Sequence, residues 1–134
     1  MNADRVVLSV PSRGEYAKAV RMTASSLVGR MGMTYDELDD VRIAAEEAFV
    51  YACDHAPESG AVEIEFLLSD DVFEMKVGLA DALRTADEEA ERRAAYATFI
   101  LQAVCDTFEM SSDKTGPYLR IVKRAAGEQA DAGV

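Results

Sequence analysis

Asp39–His55 reads DDVRIAAEEAFVYACDH, and how this stretch is read decides the fold. Leu38, Val41, Ala45, Ala48 and Ala52 recur at steps of three and four, which is the period of a helix with one apolar stripe. Thr34, followed three residues later by Glu37, has the form of a capping box that starts such a helix. Pro57 and Gly60 stop it. Glu46, Glu47, Tyr51, Asp54 and His55 ride on this apolar background. Glu47, Tyr51 and Asp54 stand at i, i+4 and i+7, so they share one helix face.

Other periods flank this helix. Val6, Leu8 and Val10 alternate with Arg5, Val7 and Ser9 as a short strand, punctuated by Pro11 and Gly14. Tyr16, Val20, Thr23, Leu27 and Met31 predict a first helix over Gly14–Met31, ended by Gly32. Val62, Ile64, Phe66 and Leu68, then Phe73, Met75, Val77 and Leu79, alternate with polar residues on either side of a turn at Ser69–Asp71. That pattern is a β-hairpin with one wet face. Thr85–Ala103 reads as a third helix buried in its second half. Thr107–Ser111 and Tyr118–Lys123 form a last hairpin across SSDKTGP. The order β-α-α-β-β-α-β-β predicts an α+β two-layer sandwich, with helices on one face of a mixed, mainly antiparallel sheet. One domain is expected over residues 1–125, followed by a flexible polar tail over 126–134.

Composition narrows the function classes. The 134 residues, 49% of them hydrophobic, suffice for one core. The net charge of −11, with 14 Lys and Arg spread along the chain, argues against nucleic acid as a direct ligand and favours a basic protein surface. No apolar run spans a membrane, and MNADRVVLSV lacks the layout of a signal peptide, so a cytoplasmic protein is expected. Cys53 and Cys105 lack metal-ligand or disulfide-framework spacing and read as small buried thiols; no metal site is expected of them.

Glu47, Ala48, Ala52, His55 and Ala56 follow the pattern Glu-Ala-x-x-Asn-Ala-x-x-His-Ala, and the chain resembles the histidine-kinase-like (GHKL) ATPases. Within them it is most similar to the anti-sigma factors that double as serine-protein kinases. The resemblance runs from about Val6 to Lys123 and implies the same element order. It implies ATP and magnesium as cofactors and Glu47 as the group that orients and deprotonates an attacking hydroxyl.

Three departures fall on that implied site. Tyr51 stands where the family has its magnesium-binding Asn, and a neutral phenol is a poor ligand for an ion that demands compact oxygens. The adenine-reading Asp has Leu79 in its place; Asp81 substitutes only after a local shift. The phosphate-cradling lid needs glycine, yet residues 82–103 contain none and carry RTADEEAERRAAYA instead. Tyr51, Asp54 and Asp81 thus outline a degenerate nucleotide site, with Glu47 catalytic only if ATP still binds.

The resemblance also implies partners: a sigma factor, an anti-anti-sigma factor and a second copy of the chain as a homodimer. It places the sigma-factor contact on the first helix, where Glu15, Lys18, Arg21 and Met22 lie opposite the apolar stripe. The expectation is an anti-sigma-factor-like regulator that sequesters a sigma factor under partner switching, with nucleotide binding lost. The alternative is an active kinase phosphorylating an anti-anti-sigma factor.

Overall fold

Alternating apolar residues become strands wherever a second strand can share one face with them. In the computed structural model, which describes residues 3–55, 60–80 and 88–126, five strands do so. They are β1 (Asp4–Pro11), β2 (Ala61–Ser69), β3 (Val72–Gly78), β4 (Thr107–Asp113) and β5 (Gly116–Arg124), in the spatial order β1-β2-β3-β5-β4. Three helices, α1 (Ala17–Val28), α2 (Tyr35–Asp54) and α3 (Glu88–Val104), form the second layer, with α2 packed between the other two.

All four pairings are antiparallel, so the mixed element of the expected sheet is corrected. The reason is the connection after β1. Two helices in succession return the chain to the end it left, so β2 runs against β1 rather than with it.

The face of the sheet under the helices carries Val62, Ile64 and Phe66 of β2, Phe73, Met75 and Val77 of β3, and Leu119 and Ile121 of β5. Val41, Ala44, Ala45, Ala48, Phe49 and Ala52 of α2 close over them. The small residues of α2 let the helix backbone approach the sheet, and Phe49 supplies bulk at its centre. The other sheet face is wet, as its alternation predicts. There Arg5 pairs with Glu65, Arg120 bridges Glu74 (2.8 Å) and Glu109 (3.1 Å), and Lys76 reaches Asp113 (2.6 Å).

The capping box is formed in full. Thr34 Oγ1 accepts from the Glu37 amide at 3.1 Å, and Glu37 Oε1 accepts from the Thr34 amide at 2.8 Å. The other Glu37 oxygen accepts from the Ala126 amide at 2.8 Å, tying the start of α2 to the end of β5. Thr34→Ala removes the side-chain acceptor and is expected to cost about 1 kcal/mol, read from the urea midpoint at unchanged slope.

The first helix is shorter than its pattern. A 3-10 turn occupies Gly14–Tyr16, and α1 ends at Val28, with Gly29 as its last helical neighbour. Gly32, at φ 73°, supplies the left-handed turn further on. The buried line of α1 is Val20, Ala24 and Val28, not one through Thr23, whose hydroxyl instead bonds the Ala19 carbonyl at 2.8 Å. The last hairpin is tighter than expected. Asp113 Oδ1 accepts from the Thr115 amide (2.9 Å) and hydroxyl (2.7 Å), and Gly116 takes φ 117°, so both strands run to within two residues of each other. The start of the expected third helix (residues 85–87) and most of the expected tail (127–134) lie outside the described residues.

Candidate functional site

The polar face of α2 lies toward α3, and its three singled-out residues meet different fates. Tyr51 is half-buried. Its ring stacks on His55 with centroids 4.0 Å apart and planes within 12°, and its hydroxyl lies 3.6 Å from the Met110 sulfur on β4. Withdrawal from water raises the Tyr51 pKa above its ordinary value, so the phenol stays neutral at physiological pH. A neutral phenol engaged with a thioether offers little to a hard cation.

Asp54 is held by a two-pronged ion pair. Arg93 on α3 places Nε 3.0 Å and Nη2 3.1 Å from its two carboxylate oxygens. This fork clamps the end of α2 to the first half of α3. His55 ends the helix with its ring Nδ1 2.8 Å from the Tyr51 carbonyl oxygen. Because a carbonyl only accepts, Nδ1 carries the proton of this bond, and the ring caps the helix terminus.

Glu47 differs from both. No ion pair or hydrogen bond holds its carboxylate among the described residues. Burial, and after it the neighbouring charge of Glu46, raises its pKa above the usual 4.5. Its neighbour Glu46 is the paired one, accepting from Arg21 at 2.7 Å. The raised value has a sign consequence. The folded protein favours protonated Glu47, so this group's contribution to stability is complete below the ordinary carboxylate pKa and is lost as pH rises through the folded value. Glu47→Gln is therefore expected to melt at a higher temperature than the parent at neutral pH. The gap should close in acid below that ordinary value, as followed by circular dichroism across a pH series.

The position read as the adenine carboxylate is apolar in fact. Leu79 packs against the core, its amide donating to the Pro117 carbonyl at 2.9 Å, while the Ala80 amide donates to the His55 carbonyl at 2.7 Å. These two bonds fasten the end of β3 to β5 and to the end of α2. Asp81 lies outside the described residues, as does the start of the glycine-free segment.

The four residues read as a partner surface separate. Glu15, Lys18 and Met22 face solvent along the 3-10 turn and α1. Arg21 turns inward to Glu46 and joins α1 to α2, as does Arg42 with Ser25 at 3.2 Å. Sequence reasoning missed Met110 and the specific role of Arg93. The alternation of Phe108 and Met110 on β4 was the available signal for the first; a lone cation in an acidic run was the signal for the second.

Both thiols are free and half-buried, and burial pushes Cys53 up to about 11 and Cys105 up to about 12. Neither is a thiolate at neutral pH. A cleft of about 420 Å³ opens at the far end of the sheet, beside Asp4, Arg30, Met31 and Asp70, and includes no residue of α2. Among the described residues no helix is long and apolar enough to cross a membrane.

Comparison with known proteins agrees with this architecture. The chain is 27% identical to the serine-protein kinase RsbW of Halalkalibacterium halodurans, over 96% of this chain and 88% of that protein. It is 26% identical to RsbW of Oceanobacillus iheyensis, over 97% of this chain and 92% of that protein. A shorter stretch of 79 residues is 40% identical to RsbW of Bacillus subtilis; it spans 57% of this chain and about half, 49%, of that protein. The crystal structure of the RsbU and RsbW domains of a Mycobacterium tuberculosis protein superposes with a TM-score of 0.63 at 14% identity, over 91% of this chain and 32% of that one. That likeness speaks for the fold alone. The profile of the histidine kinase-like ATPase domain matches residues 10–123. The chain belongs to the histidine kinase-like ATPase domain family.

Proposed function

We propose that this protein is an anti-sigma-factor-like regulator that binds and sequesters a sigma factor, works by partner switching with an anti-anti-sigma factor, and has lost nucleotide binding. One observation supports the loss: Tyr51, at the position where the resemblance expects the magnesium-binding Asn, has its ring stacked on His55 and its hydroxyl on the Met110 sulfur. The neighbouring groups support it. Asp54 is neutralised by Arg93, Leu79 offers no carboxylate to a base, and a glycine-free sequence follows. The described residues therefore do not fit magnesium–ATP. The kinship with RsbW proteins supports the partner-switching role, and the fold it brings offers protein-binding faces that do not depend on ATP.

A thermal-shift titration with ATP and ADP, each with and without magnesium, tests the loss. A ligand at about a hundredfold its Kd adds about 2.7 kcal/mol to a native state that alone binds it, which amounts to several degrees for a chain of this size. The expected result is an unchanged midpoint at millimolar nucleotide; a magnesium-dependent rise overturns it. Affinity capture of the host's sigma factors by the tagged protein tests the partner, and failure to retain any sigma factor that an intact RsbW retains under the same conditions counts against the reading.

The second reading is an active serine-protein kinase. It is favoured by the relatives' name and by Glu47, a carboxylate of raised proton affinity with no ion pair among the described residues, which is the character of a general base. It requires phosphate transfer from ATP to an anti-anti-sigma partner, abolished by Glu47→Gln. Absence of transfer to any such partner removes it.

A further inference from the structure

α2 and α3 lie side by side in opposite directions. Arg93 on Asp54 clamps one end; at the other, the Lys123 ammonium joins Asp40 (2.8 Å) to the Val104 carbonyl (3.0 Å). The buried residues of α2 and Leu101 of α3 join the core cluster with the sheet, and Ala97 of α3 is buried as well. Helical spacing then sets Ile43 and Glu47 on the outer side of α2, and Tyr96 and Phe99 on the outer side of α3. Ile43 is 42% exposed, Tyr96 62% and Phe99 67%, three large apolar side chains that the core does not use.

The charge around them is one-sided. Tyr35–Asp54 holds seven carboxylates and one arginine, and Glu88–Val104 three glutamates and two arginines, so these two helices carry −7 of the net −11, still −5 once Arg21 on Glu46 and Lys123 on Asp40 are counted. A second copy of the same face would meet it with like charge and be repelled, which disfavours self-association through this surface. A partner must bring apolar side chains and positive charge together, and an amphipathic helix rich in Lys or Arg does so.

We propose that the outer α2/α3 face docks a basic amphipathic helix of the partner protein, with its apolar side against Ile43, Tyr96 and Phe99 and its cations toward Glu47. The proposal rests on the reading that this chain acts by binding protein, and it moves the contact away from the α1 face that the resemblance implies. Glu47 supports it independently. Its carboxylate is partly desolvated and unpaired among the described residues, so an incoming cation meets a charge that no described arginine already neutralises.

The test uses a fluorescently labelled helical peptide of alternating Leu and Lys faces, its Leu/Glu counterpart, and the full-length protein. The Leu/Lys peptide is expected to bind with an affinity that falls as salt is raised, and to bind Phe99→Asp and Tyr96→Ser at least about tenfold more weakly, as befits exposed aromatic anchors. Both side chains are mostly in water, so both variants fold; melting curves check this. Equal binding of parent and variants, or of the two peptides, reduces the effect to non-specific attraction and overturns the proposal. Sedimentation showing a dimer broken by Phe99→Asp also overturns it, because a second copy then covers the face. Capture of a sigma factor equally by parent and Phe99→Asp refutes this docking face and leaves the proposed function standing. Peptide binding without capture of any sigma factor does the reverse.

Discussion

Replacing Phe49 by alanine is expected to destabilise the protein by about 4 kcal/mol, the largest single effect among the substitutions considered. Phe49 has no exposed surface and stands in the second half of α2, in the same core cluster as Phe66 and Phe73. Removing its ring forfeits the transfer energy of the buried atoms and leaves a cavity. The neighbours on α2 are Ala45, Ala48 and Ala52, too short to collapse into it. A single domain has about 5–15 kcal/mol in all, so much of the margin disappears with one side chain. Urea unfolding reads the loss directly. Phe99→Ala is the control: an exposed aromatic of the same size should change stability by no more than about 0.5 kcal/mol.

Asp40→Ala is expected to cost about 2 kcal/mol, the second largest effect. Lys123 is only 15% exposed, and its ammonium is shared between Asp40 and the Val104 carbonyl. Burial opposes its charge, but the hydrogen bond and attraction of Asp40 outweigh that, and its pKa stands above the ordinary lysine value. Deleting the carboxylate leaves a largely desolvated cation with one neutral acceptor. A fully buried pair broken in this way costs about 3–5 kcal/mol, and the 32% exposure of Asp40 reduces the figure here. Replacing both partners, with Asp40→Leu and Lys123→Met together, should recover most of the loss, because no charge is then stranded. A double mutant that is as unstable as Asp40→Ala would show that shape, not charge, decides this junction.

Much of the fold was legible because the chain repeats local rules at every element. The period-two runs of β2 and β3 place Ile64, Phe66, Met75 and Val77 inward without ambiguity, and Thr34 with Glu37 marks the start of α2 by a chemistry that involves four residues only. What depends on distant partners was not legible. The buried line of α1 runs through Ala24 rather than Thr23 because a hydroxyl can return to its own helix, while small residues fit against α2. That β1 and β2 pair antiparallel follows from the direction in which α1 and α2 return the chain, which hydrophobic periods do not encode.

The same division holds at the site. Glu47, Tyr51 and Asp54 were placed on one face by spacing alone. The partners that define them come from far along the chain, Met110 for Tyr51 and Arg93 for Asp54, and only the folded topology brings them there. The resemblance could nominate Tyr51 as an obstruction; it could not say that a stacked histidine and a methionine hold the ring in place.

The pairing of β1 with β2 carries a consequence for the order of assembly. Asp4 lies opposite Leu68 and Pro11 opposite Ala61, with both helices of the first half strung between them, whereas β2–β3 and β4–β5 are joined by turns of a few residues. Closing so long a loop spends chain entropy before any bond is returned, while the hairpins spend little. The β1–β2 pairing, like β3–β5 across α3, is thus closed after the two hairpins, and until α1 and α2 have folded back the edge of β2 that β1 covers stays open.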